Sequence, residues 1–390
     1  MRFRRFLLVV FSVSSIAAFA QRNNMARNIP INTSVPFLTL APDARSGALG
    51  DAGVATSADP MAIKWNAAKL AFLENDMGAS ISYNPWLRKL VDDMALSYLT
   101  AYRKLSKQEA ISLQLTYFDL GKITFTDYQG GIIREHRAKE FSMGGAYSRK
   151  LSEHMSVGIG LKFIHSNLGN IDDPSAASSI KPGNTAAGDI GIFHTKDYIA
   201  GGKNIKVNLG ANISDIGAKI SYSNSQYRDF IPTALRLGTA ITTDLDVFNK
   251  LTLIVELSKL MVPSPVSDSS GFGYSSDKGL LSGMFGSFSD AEGGLSEELK
   301  EIIYHLGLEY WYHDARGLPL FAIRAGYHLE NNLRGGRKYL TAGFGFRYQM
   351  FGIDFAYLVP TQKNNPLAES LRFTLIFNAD SKKRVESIID

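Results

Sequence analysis

Apolar and polar residues alternate in short stretches from Met77 onward, and turn residues separate the stretches. Most stretches are about 9 to 11 residues long, the length of a tilted strand that crosses a membrane. Such alternation is typical of transmembrane β-barrels. The pattern predicts fourteen strands, which span residues 77–84, 93–103, 109–118, 140–150, 155–165, 186–195, 204–213, 233–242, 250–258, 302–312, 320–329, 339–347, 350–358 and 370–378.

The connectors between these strands are sorted by length. Long connectors mostly follow the odd-numbered strands and short connectors follow the even-numbered ones; the clearest are 119–139, 166–185, 214–232 and 259–301 against 151–154, 196–203 and 313–319. Bacterial outer-membrane barrels have long outer loops and short periplasmic turns, whereas a soluble sandwich has no reason for such sorting. The fold class predicted is therefore all-β, a transmembrane antiparallel β-barrel with both termini in the periplasm.

Charged residues within the predicted strands fall on one face. In the last strand Leu371, Phe373 and Leu375 share a face and Arg372 lies on the other, because side chains alternate with period two. A charge on the lipid face costs up to about 2–4 kcal/mol at the membrane midplane, so the charged face is assigned to the lumen. The residues assigned there are Lys162, Arg236, Glu256, Glu309, Arg324, Arg347, Asp354 and Arg372.

Residues 36–76 are rich in Ala and Gly and lack the strand alternation. One reading is a disordered periplasmic arm. The segment nevertheless carries many large apolar residues, which favours a hatch folded inside the barrel from short helices and turns. These residues are Phe37, Leu38, Leu40, Met61, Ile63, Trp65, Leu70 and Phe72.

Charged residues of a hatch in the lumen need partners, because an unpaired buried charge is costly. The sequence offers arginines on the predicted lumen face. We therefore expect pairing between the hatch residues Asp43, Arg45, Asp51 and Asp59 and the lumenal Arg236, Arg324, Arg347 and Arg372.

The N-terminus reads as a secretory signal. Residues 1–20 combine basic Arg2, Arg4 and Arg5 with an apolar run and a small-residue cleavage site. The predicted organisation is a signal peptide at 1–20, a periplasmic arm at 21–35, the hatch at 36–76, the barrel at 77–378 and a periplasmic tail at 379–390.

The charge balance and the lack of cysteine exclude several kinds of site. Three of the 42 basic residues lie in the discarded signal, which leaves the mature chain close to neutral against 37 acidic residues and gives no indication of nucleic-acid binding. The chain has no cysteine, which excludes disulfides, a lipoprotein anchor and thiolate metal sites.

Catalytic chemistry is not indicated. The seven histidines are scattered, without a metal-binding spacing such as His-Glu-x-x-His, and a Gly-x-Ser-x-Gly elbow is absent. We expect no catalytic residue, no metal and no cofactor. The histidines are His136, His154, His165, His194, His305, His313 and His328.

Two long loops are candidates for binding, since binding residues gather on loops held by a rigid scaffold. Trp86, Leu87 and Arg88 suit an interface, although Trp86 equally suits the aromatic girdle at the membrane boundary. In the longest loop, Met284, Phe285 and Phe288 suit an adaptable protein-binding surface. The alternative for that loop is a segment folded back to cap the lumen.

The chain resembles the PorV family of the type IX secretion system, within the wider fold of FadL-type barrels. The resemblance runs from about Phe37 to the last strand and is carried by ARSGALGDAGVATSADPMAIKWNAAKLAF, SISYNPWLRKLVDDMALSYLTAYRKL and AISLQLTYFDLGKITFTD. FadL-type hatches usually carry Asn-Pro-Ala where this chain has Asn66-Ala67-Ala68, which weakens a role in fatty-acid transport.

The resemblance implies an outer-membrane carrier in protein export. Such a carrier is expected to bind the C-terminal signal domain of cargo through its outer loops, collect cargo from a large translocon barrel, and deliver it to a sortase-like attachment complex at the cell surface. Its other partner is outer-membrane lipid. The alternatives are a FadL-like transporter of small hydrophobic molecules and, less favoured, an outer-membrane lipid deacylase.

Overall fold

The computed structural model describes residues 31–88, 91, 93–127, 129–169, 181–223, 228–264, 266–267, 273–274, 277–291, 293–361 and 370–380. The predicted signal peptide lies outside these residues, as do most of the predicted arm and tail. Among the described residues, no helix is long and apolar enough to cross a membrane.

Fourteen strands form a closed antiparallel barrel in which sequence neighbours pair and the last strand closes on the first. This confirms the predicted fold class and strand number. The barrel strands are β1 (Met77–Pro85), β2 (Ala95–Lys104), β3 (Glu109–Thr126), β4 (Ile132–Lys150), β5 (Met155–Asn167), β6 (Gly183–Ala200), β7 (Lys203–Gly217), β8 (Ala234–Asp244), β9 (Asn249–Leu260), β12 (Ile303–His313), β13 (Pro319–Leu329), β14 (Lys338–Tyr348), β15 (Phe351–Pro360) and β16 (Leu371–Ala379).

The connectors sort to the two ends of the barrel. At one end, here called the short-turn end, every connector is brief; these are 105–108, 151–154, 201–202, 245–248, 314–318 and 349–350. The opposite, long-loop end carries 86–94, 127–131, 168–182, 218–233, 261–302, 330–337 and 361–370.

One predicted long loop is wrong. Residues 119–139 are mostly strand, because β3 runs to Thr126 and β4 begins at Ile132. The alternating Ile, Thr and Phe residues of this stretch have high β propensity, and they pair across the hairpin instead of forming a loop.

The two faces of the wall differ as the alternation predicts. On β5, Leu161 is 74% exposed on the outer face, whereas its neighbour Lys162 is 7% exposed and points into the lumen. Glu256, Glu309 and Arg324 are buried in the same way. An apolar outer surface and a charged interior suit a wall surrounded by lipid.

The hatch fills the lumen with short helices. They are a 3₁₀ turn at Pro36–Thr39, α1 (Ala44–Gly47), α2 (Ala62–Trp65) and a second 3₁₀ turn at Ala67–Phe72. Asp43 caps α1 by accepting from the Ser46 N–H, and Asn66 caps the second 3₁₀ turn by accepting from the Ala68 N–H. All alanines of this segment except Ala58 are buried, so small side chains let the hatch backbone lie close to the wall.

The remaining elements lie at the long-loop end. Connector 261–302 contains a two-residue ladder of β10 (Val266–Ser267) with β11 (Gly273–Tyr274), followed by α3 (Leu280–Gly286), α4 (Leu295–Glu298) and a 3₁₀ turn at Leu299–Glu301. Connector 330–337 contains a 3₁₀ turn at Asn332–Arg334.

The hatch enters the lumen from the long-loop end. The Ser34 N–H donates to the Phe230 carbonyl at 2.9 Å, and Phe37 stacks on Phe118 near the top of β3. The chain then crosses the lumen and reaches β1 at Met77 on the short-turn end, beside Ala379. The described residues 31–35 therefore lie at the opposite end of the barrel from Ala379, where the last strand ends. The periplasmic position of both termini stays a prediction, because residues 1–30 and 381–390 lie outside the described part of the chain. A hatch that spans the lumen once must have its two ends at different openings.

Glycines on the lumenal face make room for the hatch. A Cβ added at Gly326 would lie 2.1 Å from the Gly50 nitrogen, and one at Gly343 would lie 2.5 Å from the Ala48 Cβ. The absence of a side chain at Gly343 therefore leaves space for the hatch. The space beside Gly345 is instead taken by the side chains of Asp354 and Arg324.

We predict that Gly326→Ala lowers the thermal stability of the barrel in detergent, because the added methyl group overlaps hatch backbone. Overpacking of this kind costs about 1–3 kcal/mol. The matched control is Gly188→Ala on β6, where an added Cβ meets only ordinary contacts at 3.5 Å and beyond. Equal unfolding temperatures for the two variants would contradict close packing of the hatch against β13.

Candidate functional site

Arg45 joins the hatch to the wall. Its guanidinium donates to both carboxylate oxygens of Glu309 on β12, from Nε at 2.9 Å and from Nη2 at 2.8 Å. Its Nη1 pairs with Asp59 of the hatch at 2.8 Å. Arg45 and Glu309 are buried, and a bidentate pair of this kind fixes position and orientation together.

Asp51 forms the second junction. It accepts from Arg372 Nη1 on β16 at 2.6 Å and from the Tyr339 hydroxyl on β14. Asp51 has a φ of 64°, in the left-handed region that non-glycine residues rarely adopt. The two wall contacts hold this residue in a conformation that local sequence alone disfavours.

Arg324 and Arg347 pair differently from the prediction. Arg324 donates to Glu309 at 2.8 Å and to Asp354 at 2.7 Å, and Arg347 pairs with Asp354 at 2.7 Å. Their partners are therefore wall carboxylates instead of hatch carboxylates. The physical reason is strand register, because the pairing of β13, β14 and β15 alone brings Arg324 and Arg347 close to Asp354.

Arg236 and Asp43 complete the predicted set. Arg236 Nη1 pairs with Glu256 at 2.6 Å and also donates to the Asp51 carbonyl at 3.3 Å. Asp43 accepts from the indole N–H of Trp65 at 2.7 Å and from Ser46, so hatch groups satisfy it without an arginine.

Several residues that fix the hatch were not in the predicted set. Glu256 accepts from the Gly53 and Val54 N–H groups at 2.7 and 2.9 Å. The Asn66 amide donates to the Ile192 carbonyl of β6 at 2.9 Å and to the Val54 carbonyl at 3.2 Å. The alternation already placed Glu256 on the lumen face, but its acceptance of hatch N–H groups had no signal in the sequence.

Two buried histidines also support the hatch. His305 contacts the Gly50 carbonyl through Nδ1 at 2.8 Å and the Ser258 hydroxyl through Nε2 at 2.8 Å. His328 stacks on Tyr339 with ring centroids 4.5 Å apart. Both lie against the hatch turn that carries Asp51. Among the described residues, no group of His, Asp and Glu is arranged to hold a metal ion.

The space between hatch and wall is small. A cavity lined by Phe37, Leu38, Lys64, Gln114 and Lys162, among others, has a volume of about 10 Å³. That is close to the minimum for one water molecule. In this conformation the cavity cannot take a ligand larger than a water molecule.

Trp86 packs against the apolar cluster over the lumen. Its ring is half-buried and meets Phe118 edge-on at 6.4 Å, beside Phe37 of the hatch. Leu87 is also half-buried and has a φ of 48°, whereas Arg88 is exposed. The turn of the chain at Leu87 directs Trp86 toward the apolar cluster over the lumen, where it packs as a cover.

In connector 261–302 the predicted binding residues separate onto two faces. Met284 is 3% exposed, which corrects its predicted place on an outer surface; α3 turns Gly283 and Met284 inward, and Gly283 lies beside Phe230. Phe285 and Phe288 are 67% and 43% exposed. The connector thus lies against the barrel through one face of α3 and presents aromatic rings on the other.

Ion pairs hold this connector in place. Lys259 at the end of β9 pairs with Glu298 at 3.2 Å and also with Glu301. Glu301 accepts from the Ser264 hydroxyl at 2.8 Å and lies 3.3 Å from the Arg334 guanidinium. Because these groups are largely buried, the exposed rings sit on a surface of defined shape.

We predict that Arg372→Met destabilises the barrel in detergent, because Asp51 stays buried without its cation. Breaking a buried pair in this way costs about 3–5 kcal/mol. The control is Arg316→Met in an exposed short turn, where loss of the pair with Asp314 changes stability little.

The double variant Asp51→Asn with Arg372→Met should lose less stability than the two single variants together. Thermal unfolding of all four proteins measures this coupling. Strict additivity would contradict direct anchoring of the hatch through this pair.

Known structures share this barrel fold. The barrel is similar to the toluene transporter TodX of Pseudomonas putida (10% identity, 85% of this chain and 95% of that chain, TM-score 0.48). It is also similar to the CymD monoaromatic hydrocarbon channel (10%, 87% and 97%, 0.49) and to a Pseudomonas aeruginosa FadL homologue (10%, 90% and 99%, 0.43).

No curated protein matches the chain. The family model for the type IX secretion system protein PorV matches residues 21–267, which is more than half of the 390 residues. The chain therefore belongs to the PorV family and is an outer-membrane component of the type IX secretion system.

Proposed function

We propose that this protein binds the C-terminal signal domain of exported cargo at its long-loop end and carries it from the translocon barrel to the cell-surface attachment complex. The observation that carries the proposal is the combination of a filled lumen with exposed aromatic rings at one end. A lumen occupied by an ion-paired hatch leaves the surface as the place of action. Family membership supports a role in protein export.

The proposal requires the long-loop end to face outward. Long outer loops and short periplasmic turns are usual for bacterial outer-membrane barrels. In this orientation the C-terminal strand ends on the periplasmic side, and residues 31–35 lie on the outer side. The aromatic residues of connector 261–302 then face the cell exterior, where exported proteins arrive.

Phe285 and Phe288 are the residues proposed to contact cargo, with Arg88 at the same end of the barrel. Aromatic rings and arginine dominate the energetics of protein interfaces when a partner covers them. The Lys259–Glu301 contacts hold the connector before a partner arrives, which reduces the entropy lost on binding. The lipid-facing wall is left for outer-membrane lipid and for the translocon barrel.

The other two functions have less support. Transport of small hydrophobic molecules requires a pocket that leads into the lumen. The cavity beside Phe37 and Lys64 has only about 10 Å³, and the larger recess of about 460 Å³ beside Leu161, Phe163 and Ile216 is a shallow, open depression of the wall. Lipid deacylation requires a nucleophile with a positioned base. The buried histidines His305 and His328 instead contact the hatch and each other. We therefore propose a carrier without catalytic activity.

We predict that the double variant Phe285→Ser with Phe288→Ser weakens binding of an isolated cargo signal domain at least tenfold. The physical reason is the loss of two exposed rings from a fixed surface. Affinity is measured by titration of the labelled domain against the purified barrel in detergent.

The control double variant is Leu151→Ser with Leu318→Ser, which removes exposed apolar side chains from the short-turn end. It should bind the domain as the unaltered protein does. Equal affinity for all three proteins would argue against a role for α3, and failure of the unaltered protein to bind would overturn cargo capture.

A further inference from the structure

The strands β3 and β4 rise beyond the rest of the barrel at the long-loop end. The ladder between β2 and β3 ends at the pair Ala95–Asp119, yet β3 continues to Thr126. The ladder between β4 and β5 ends at Lys139–Asn167, and β4 begins at Ile132. Residues 119–139, here called the rim hairpin, are therefore paired with one another beyond these points, within the described part of the chain.

The rim hairpin is held in shape by its own contacts. Arg137 pairs with Asp119 at 2.7 Å, and this guanidinium holds the pKa of the Asp119 carboxyl below its usual value. Lys122 pairs with Glu135 at 2.5 Å. At the turn, Asp127 accepts from the Gly131 N–H at 2.7 Å. These contacts give the hairpin a defined strand geometry outside the barrel.

One edge of the hairpin faces the side of β2, beyond the last pair of the β2–β3 ladder. The Lys122 N–H donates to the Asp93 carboxylate at 3.0 Å, so the Lys122 backbone faces away from β4. Backbone groups alternate sides along a strand, which directs the N–H and C=O of Thr124 to this same side, while Ile123 faces its partner His136 on β4. By this alternation, the Thr124 N–H and C=O do not join the ladder with β4.

Between residues 123 and 126 this edge carries neither charge nor proline, although register shifts bound it on both sides. Natural edge strands are commonly blunted by charges, proline or bulges. Residues 123–126 read Ile-Thr-Phe-Thr, which combines high β propensity with no charge and no proline. Register shifts occur at 119–122 and 125–126, so the segment between them is a short regular strand.

We propose that the β3 edge around Thr124 takes an added β-strand from the exported protein that this carrier captures. The inference rests on the proposed function and names its mode of binding. Outward N–H and C=O groups in extended geometry match only another extended chain. Ile123 on β3 itself is 39% exposed and supplies apolar contact for the side chains of that added strand.

The test removes one backbone donor. Thr124→Pro deletes the outward N–H, and proline is tolerated at an edge position where the N–H does not join the ladder. Thr124→Ala removes the side chain and keeps the N–H. With the isolated cargo signal domain as probe, Thr124→Pro should bind at least tenfold more weakly and Thr124→Ala within twofold of the unaltered protein.

Hydrogen exchange provides the second measurement. In the unaltered protein, the Thr124 amide should gain at least tenfold protection when the domain binds, while the Ile123 amide is already protected by β4. Absence of added protection at Thr124 overturns strand addition. This measurement uses the unaltered protein, so it stays valid even if proline disturbs the hairpin. Equal weakening by Thr124→Ala and Thr124→Pro would also overturn it, because a side-chain contact would then explain the loss.

These experiments distinguish failure of the strand-addition proposal from failure of the proposed cargo capture. Normal binding by Thr124→Pro, with weak binding by the Phe285→Ser and Phe288→Ser double variant, overturns strand addition and leaves cargo capture standing. Failure of the unaltered barrel to bind the domain overturns both.

Discussion

Closing the barrel places charges where water is scarce, and the structure depends on pairing them there. Glu309, Asp354 and Arg324 line the lumen because the opposite face of each strand meets lipid. A buried charge without a partner is costly, so the wall needs counter-charges inside. Arg45 and Asp51 of the hatch supply two of them, to Glu309 and Arg372. The hatch is thus part of the electrostatic balance of the wall as well as a plug.

A lumen satisfied in this way changes what the barrel can do. The usual function of a barrel is to let molecules pass, and that requires the hatch to leave its ion pairs. The long-loop end has no such constraint, because its own ion pairs, such as Lys259–Glu301, hold connector 261–302 while Phe285 remains exposed. The interior therefore provides rigidity, which is consistent with the proposed recognition at the long-loop end.

Much of the fold follows from local pattern, because period-two alternation places each side chain without reference to distant residues. The strand number and the lumenal position of Arg324 were predictable for this reason. Its partner was not, because Glu309 and Asp354 become its neighbours only through strand register. The packing of Trp86 likewise depends on Phe118, and that of Gly283 on Phe230, and both phenylalanines are distant in sequence.

The hatch connects the long-loop end with the ion pairs in the lumen. Residues 34–37 contact Phe230 and Phe118 at the long-loop end, and the same segment continues to the ion pairs of Arg45 and Asp51. Phe118 lies immediately before the rim hairpin and also supports Trp86. The surface proposed to meet a partner is therefore packed on the hatch, and the hatch is paired with the wall. A surface supported in this way loses little conformational entropy on binding, which favours recognition by a fixed shape over adaptation.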